Sequence, residues 1–435
     1  MNYFGRKIGL LASLYFAQGL PFGFFTQALP VLMRQEGMSL AVIGYSSLLA
    51  LPWGLKWLWA PLVDRTGSRL GRRRGWIIPL QLLAVAVITA LAVLPSLLPG
   101  MGQEGALGLM AGAVLLTNLL AATQDVATDG LAVDLLDESE RGHGNGVQVA
   151  AYRIGMVVGS SALMVCYEEL GWMTTFLSMS ALLLLSTLPI VRAQEPSPPP
   201  TVDQVSYLAA WQFIHRPQVA LWLALAALYK LGDALGSPMI RPMLVDAGWS
   251  PSQIGVVVGS GGSVAGLIGA LLGGVMASRG RLSALTVAGL AHAVLMAAWA
   301  WPASLGLVAY DDGMVLLFFC LISVEHITGG MATVALFTAM MDACDRRTGA
   351  TDYTTQASLV VFVTGLGSGV SGVSAEGFGY SGHFLFAGGL CAVGTLALIP
   401  FFKEGSMPPR PPTPPPIAGV ASRTSAALPA GAPTR

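Results

Sequence analysis

Along the chain, apolar residues come in long runs separated by short polar stretches rich in Arg, Gly and Pro. A helix needs about 20 mostly apolar residues to cross a bilayer, and on that ruler the pattern predicts twelve spans. They lie near 8–32, 40–62, 77–98, 107–131, 146–167, 172–191, 218–240, 252–276, 283–301, 314–340, 354–374 and 382–402. The runs are too long and too continuous for barrel strands, which alternate over about ten residues. Helices are expected because a segment in lipid must satisfy its own backbone hydrogen bonds. The first run follows Arg6-Lys7 and continues past Pro21 with no small-residue cleavage site, so it reads as an uncleaved span. The expected fold class is an all-α membrane protein with twelve transmembrane helices.

Composition agrees and excludes other classes. Of 435 residues, 54% are hydrophobic and 11% charged, against about a quarter charged in an ordinary soluble protein. So few charges could not cover a large soluble enzyme. With 23 basic and 23 acidic residues the formal net charge is zero, so no nucleic-acid partner is expected. Cys166, Cys320, Cys344 and Cys391 lie in apolar stretches without disulfide or metal-ligand spacing. Neither a metal nor a cofactor is expected.

The positions of the basic residues say more than their number. With the N-terminus in the cytoplasm, eighteen fall inside and only Arg34 and Arg241 outside. That bias predicts an even number of spans with both termini cytoplasmic. Arg outnumbers Lys nineteen to four, which hints at a GC-rich bacterial genome and hence an inner (cytoplasmic) membrane.

Between spans six and seven, Gln194-Glu195-Pro196-Ser197-Pro198-Pro199-Pro200 cannot continue a helix. It divides the chain into a six-helix half at 1–193, a linker at 194–217 and a second half at 218–403. A Pro-rich tail, 404–435, is expected to be disordered. The halves echo each other: Asp137-x3-Arg141 follows span four and Asp342-x3-Arg346 follows span ten. Gly and Arg also recur in the turns after spans two and eight. Such repetition suggests a transporter with its site between two parallel halves, near the midplane.

The turn Asp64-Arg65-x-Gly67 resembles the loop signature of the major facilitator superfamily, although Ala60 and Ser68 depart from the usual pattern. The stretch Leu51-Pro52-Trp53-Gly54-Leu55-Lys56-Trp57-Leu58-Trp59-Ala60-Pro61-Leu62-Val63-Asp64 is similar to a segment of the AmpG and acetyl-CoA transporter group. Gln18-Gly19-Leu20-Pro21, Thr123-Gln124-Asp125 with Asp129, and Gly349 to Thr354 fit the same group. The resemblance implies the major facilitator fold, a small-molecule substrate and alternating access. Spans one, four, seven and ten would line the cavity, and Asp64, Arg65 and Gly67 would form a conformational latch. The group includes muropeptide permeases, acetyl-CoA transporters and FptX-type siderophore importers, and Pro52-Trp53 with the Gln18-to-Arg34 stretch leans to the last.

Three bases (Lys56, Arg153, Lys230) and four acids (Asp125, Asp129, Asp233, Glu325) fall within predicted spans. Each costs about 2.5–3.5 kcal/mol at the bilayer centre unless it pairs or faces a polar interior. Helical rise places Lys230, Asp233 and Glu325 near the midplane, Lys56, Asp125 and Arg153 in the cytoplasmic half, and Asp129 toward the inner headgroups. Gln18, Lys56, Gln124, Arg153 and Lys230 are the substrate-binding candidates, suited to an acidic solute. Glu325, Asp125, Asp129 and Asp233 are the proton-coupling candidates. Structural alternatives stand beside each. Lys230 and Asp233, three apart, could neutralise one another. Lys56 could pair with span four or eleven, and Arg153 with Asp125 or Asp129.

Glu325 has no basic neighbour but His326, which is adjacent and expected to point elsewhere, so it is the first choice for coupling. Apart from His292, spans three, six, nine and twelve carry no acid or base in their cores. Glycines four apart in spans five, eight and eleven suggest close helix packing. The expected function is proton-coupled import of a small acidic solute by a monomer. The alternatives are a membrane-embedded enzyme, against which the lack of HExxH and GxSxG speaks, and a non-transporting sensor.

Overall fold

The computed structural model describes residues 3–35, 47–97, 103–195, 205–304 and 312–403. The predicted tail and most of the Pro-rich break lie outside them. Among the described residues, nine helices are long and apolar enough to cross a membrane. Two of these, Arg141–Arg192 and Gly349–Lys403, have 52 and 55 residues, far more than the roughly 20 a bilayer needs. Each is broken, at Gly171 and Gly379, where φ is +78° and +65°. Glycine adopts this left-handed conformation without a Cβ penalty. Each long helix is therefore two spans, and eleven of the twelve predicted spans are helices of spanning length.

Helices are numbered here by span. α1 runs Tyr3–Gly23, passes a π-helical turn at Phe24–Ala28 and resumes at Leu29–Gln35. The second span differs from its prediction as one helix, and residues 36–46 lie outside the described set. Its described part, α2, is a chain of short pieces: Ser47–Ala50, Leu51–Leu55, Lys56–Leu58 and Ala60–Arg65. Pro52 and Pro61 each sit in the first turn of a new piece, the position where proline's missing N–H costs nothing. A hydropathy window averages over both.

α3 is Arg74–Leu97 and α4 Gln103–Leu135. α5 begins as Arg141–Val157, takes a π turn at Val158–Ala162 and runs to the Gly171 break, and α6 follows at 172–192. After a short linker helix, Ala209–Ile214, α7 spans Val219–Gly236, tightens at Ser237–Met239 and ends as Ile240–Asp246. α8 comprises Pro251–Ile254, a π turn at Gly255–Gly261 and Gly262–Arg279. α9 is Arg281–Ala298, α10 Asp312–Asp342, α11 349–378 and α12 380–403.

Small residues set the closest approaches. Gly19 of α1 lies against the Tyr152 carbonyl of α5, and Gly159 of α5 against the Leu20 carbonyl of α1, so neither position has room for a Cβ. Gly269 and Gly273 seat α8 on α10 in the same way. In α11 the close approach falls on a different glycine: among the described residues a Cβ at Gly365 or Gly369 would meet open space, whereas one at Gly367 would lie 2.8 Å from Ala234 of α7. The two sets of six spans meet where α5 packs on α8 and where α2 and α4 pack on α11.

Candidate functional site

The break in α2 turns Lys56 inward, leaving it 4% exposed. Its ammonium forms an ion pair with Asp125 of α4, and the Trp53 ring lies 5.5 Å from Nζ. Two indole N–H groups tie the broken segment to α4: Trp53 Nε1 donates to Asn118 Oδ1 (3.0 Å) and Trp59 Nε1 to Thr123 Oγ1 (3.1 Å). Asp129 is buried, 2% exposed. Tyr15 of α1 donates its hydroxyl to Asp129 Oδ1 at 2.7 Å, and Gln148 Nε2 lies 3.4 Å from the same oxygen. Gln124 is directed away from this group. It donates to Gln81 of α3 (3.0 Å), which donates to the Leu183 carbonyl of α6 (2.9 Å). Neighbouring helical residues point about 100° apart, so Gln124 and Asp125 face different surroundings. Gln18 is 2% exposed, and neither of its amide atoms has a hydrogen-bond partner among the described residues. Buried polar groups are normally satisfied, so a polar ligand group would complete this one.

The second cluster joins α7, α9 and α10. Lys230 pairs with Asp233 Oδ2 and lies 3.3 Å from Thr333 Oγ1. Asp233 Oδ1 meets His292 Nε2 at 3.2 Å and Ser237 Oγ at 2.9 Å. Ser237 Oγ is also 3.0 Å from Glu325 Oε1.

Glu325 is therefore not the lone acid expected from sequence. His326, although adjacent, folds back so that Nδ1 lies 2.5 Å from Glu325 Oε2, while the same nitrogen bonds the Ile322 carbonyl at 3.1 Å. Two flexible side chains bridge the angle between neighbouring positions. Arg153 does not take the alternative partners considered for it, Asp125 or Asp129. Its guanidinium packs against Gly266 of α8, within electrostatic reach of Asp233 and Glu325 rather than of Asp125 or Asp129. Ser237 carries no signal in the sequence, and His292 is noted there without a role. Serine is neutral and adds nothing to a count of buried charges, whereas His292 stood out as the one titratable group in its span.

Asp233, His292 and Glu325 present ligand atoms within 4.8 Å of one another, close enough to hold a metal ion. Lys230 on Asp233 and the nearby Arg153 make the site poor for a divalent cation.

Where the arginines gather, the halves are shut against each other. Asp64 is fully buried and accepts from Arg72 Nη2 at 2.8 Å, with Arg73 Nη2 also at 2.8 Å. Across the interface it accepts from the backbone N–H of Thr351 and from its hydroxyl, both at 2.7 Å. Burial pulls the Arg72 guanidinium below its ordinary value, Arg73 adds to that, and Asp64 opposes it. Arg65, the other expected latch residue, instead bonds the Val205 carbonyl of the linker (3.2 Å) and lies over the Tyr207 ring (4.4 Å). Gly67 lies in the tight turn, where a Cβ would come within 3.2 Å of the Arg72 backbone. The repeated Asp-x3-Arg motifs exchange partners: Arg141 Nη1 binds Asp342 (2.7 Å) and Arg346 Nη2 binds Asp137 (3.4 Å). Arg281 Nε joins Asp342 at 2.6 Å.

Comparison with known proteins agrees with this architecture. The anhydromuropeptide permease of Escherichia coli (strain K12) is 31% identical over 402 residues, covering 90% of this chain and 79% of that protein. A Haemophilus influenzae protein is 32% identical over 413 residues, covering 91% and 94%. A bacterial homologue of the iron transporter ferroportin, solved in an outward-facing state, superposes with a TM-score of 0.68 at 15% identity, covering 93% of this chain and all of that one. The E. coli fucose:proton symporter gives 0.67 at 16%, covering 91% and 98%. These two likenesses speak to the fold. The model of the Major Facilitator Superfamily matches residues 11–372, and the chain belongs to that superfamily as a multi-pass membrane transporter of a small molecule.

Proposed function

We propose that this transporter imports an anhydromuropeptide-type solute across the bacterial inner membrane by proton-coupled alternating access. The observation that carries the substrate is the 31% identity to the E. coli anhydromuropeptide permease over 90% of the chain. The site's charge balance supports an acid-bearing ligand. Lys56 and Lys230 are each neutralised by a carboxylate, whereas Arg153 has no ion pair among the described residues. Arg153 takes the solute's acid group and the unsatisfied amide of Gln18 meets its polar part. Lys56 and Lys230 serve as charge partners, and Gln124 drops out of the binding set.

The halves, 1–193 and 218–403, rock about this site on the 194–217 linker, with both termini cytoplasmic. The arginine-rich lock, with Asp64 at its centre, holds the inner end shut. Asp125, Asp129, Asp233 and Glu325 are the candidate proton carriers, and each proton contributes about 2.3 kcal/mol per 100 mV of potential. One chain contains both halves of the site, so a monomer suffices.

The test is uptake of labelled anhydromuropeptide, ferric siderophore and coenzyme A thioester into cells, with and without an uncoupler. Accumulation of the first, abolished by the uncoupler, is the expected result. Accumulation of the siderophore alone would reassign the substrate, and uptake indifferent to the uncoupler would overturn the proton drive.

A further inference from the structure

We propose that Asp233, Ser237 and Glu325 share a single proton, resident on Glu325, and that its departure transfers Arg153 from the substrate to Glu325. This deepens the proton-coupled reading and rests on it for its role in transport.

The argument begins from one hydroxyl. Ser237 Oγ lies 2.9 Å from Asp233 Oδ1 and 3.0 Å from Glu325 Oε1. A serine hydroxyl carries one proton, and ionised carboxylates only accept. Ser237 can therefore serve one of the two oxygens, and the other contact needs a proton brought by the acid itself. Two ionised carboxylates facing one hydroxyl would leave a buried oxygen against an oxygen, at the full cost of an unmade bond.

The neighbours decide which acid holds it. Asp233 has Lys230 on Oδ2 and His292 beside Oδ1, so its negative charge is compensated. Among the described residues Glu325 has no lysine or arginine ion pair: Ser237 and His326 are its hydrogen-bonding neighbours, with His292 within 4.8 Å, and the His326 nitrogen facing it also bonds the Ile322 carbonyl. Glu325 is thus the carboxylic acid. It donates to Ser237 Oγ, and Ser237 donates to Asp233.

Loss of the proton changes the partners without breaking any other bond. The proton leaves Glu325 for water on the side to which the site is open, and Ser237 continues to serve Asp233. The Glu325 anion then faces Lys230 and Asp233 of α7, His292 of α9, His326 of its own helix, Cys391 of α12 and Arg153 of α5. Lys230 is committed to Asp233, so Arg153 is the cation left to answer it. Arg153 belongs to the other half of the molecule, so the attraction acts across the interface that moves. A substrate carboxylate and the Glu325 anion compete for one guanidinium, and protonation of Glu325 frees it for the substrate.

Infrared difference spectroscopy of the full chain in liposomes, without substrate, tests the proton's position. The wild-type-minus-Glu325→Gln spectrum at neutral pH should show a carboxylic-acid C=O band that fades as pH is raised. Ser237→Ala should shift that band and Ser237→Thr restore it. Absence of the band, or its removal by Asp233→Asn while Glu325→Gln leaves it, overturns the assignment. If Glu325→Gln fails to fold, the shift in Ser237→Ala and its rescue by Ser237→Thr decide alone.

The exchange of Arg153 is read from anhydromuropeptide binding against pH. Affinity should fall as pH rises in the wild type and stay flat in Glu325→Gln. The same pH dependence in both, or binding independent of pH in both, overturns it. Uptake indifferent to an uncoupler, with the infrared band present, would sink proton-driven transport and leave the shared proton standing.

Discussion

In the N-terminal half, Asp125 has one ion pair among the described residues, to Lys56, and lies beside Asp129, which accepts from the Tyr15 hydroxyl and has a longer contact from Gln148. In the C-terminal half, Asp233 has Lys230, Ser237 and His292 around it, and shares Ser237 with Glu325. Both groups are buried, and both neutralise a lysine that would otherwise be prohibitively placed. They differ in how many donors stand ready for each carboxylate. A carboxylate with one committed partner has one low-energy arrangement. A cluster in which donors are shared has several of similar energy, and a coupling site needs that property. By this measure the Lys56–Asp125 pair braces α2 against α4, and the donors shared around Asp233 and Glu325 leave the C-terminal group more arrangements.

The largest effect should come from the brace. Asp125→Asn leaves Lys56 charged, buried and unpaired, which is expected to cost about 3–5 kcal/mol. The loss would appear as a lowered unfolding midpoint in detergent and a reduced folded yield. Replacing both partners, Lys56→Met with Asp125→Leu, should recover most of it, since apolar substitution of a buried pair is often neutral. A double variant that folds well but does not transport would show that the pair also works in the cycle.

A smaller loss is expected when Lys230 is removed. Lys230→Met leaves Asp233 with Ser237 and His292, so the cost should be about 1–3 kcal/mol, as for a hydrogen bond to a charged group. Thermal unfolding of the two single variants, side by side, measures the contrast. Equal losses would mean that the extra donors of the C-terminal cluster provide no buffering.

A third variant asks whether sharing also matters at the arginine-rich lock. Asp342 is 4% exposed and serves both Arg141 and Arg281. Asp342→Asn removes the charge from both at once and should open that end. Cys344 nearby is buried and free. In a protein with the other three cysteines replaced, its labelling by a charged thiol reagent should rise about tenfold, the equivalent of about 1.4 kcal/mol. Unchanged labelling would remove Asp342 from the lock.

Much of this was legible before any coordinates. Hydropathy is a local property, so eleven of the twelve spans follow from it, and the described part of the second is divided at Pro52 and Pro61. Depth along a helix is also local, and Lys230, Asp233 and Glu325, expected at one depth, meet in one cluster through Ser237. Pairing within a helix was readable for Lys230 and Asp233, three residues apart. Partners on different helices depend on how each helix is rotated about its axis, and one sequence carries little of that. Hence the acids near Arg153, the bond of Gln124 to Gln81 and the place of Ser237 between two carboxylates are not read from sequence. The Asp-x3-Arg repeat was visible, but the exchange of partners between copies belongs to the assembled halves.

That exchange supplies the finest test. Asp137 and Arg346 are the mirror of Arg141 and Asp342, yet their side chains are 69% and 56% exposed, whereas those of the other pair are 9% and 2% exposed. Surface ion pairs contribute about 0–1 kcal/mol, so Asp137→Ala should change Cys344 labelling at most about fivefold. Raised salt should remove even that difference, because screening acts on exposed charges far more than on buried ones. The Asp342→Asn effect should persist at the same salt. If the two variants open the lock equally, the repeat's symmetry governs closure and burial does not. If only Asp342→Asn opens it, the two copies of one motif have separated in function, and the copy that acquired a second arginine holds the gate.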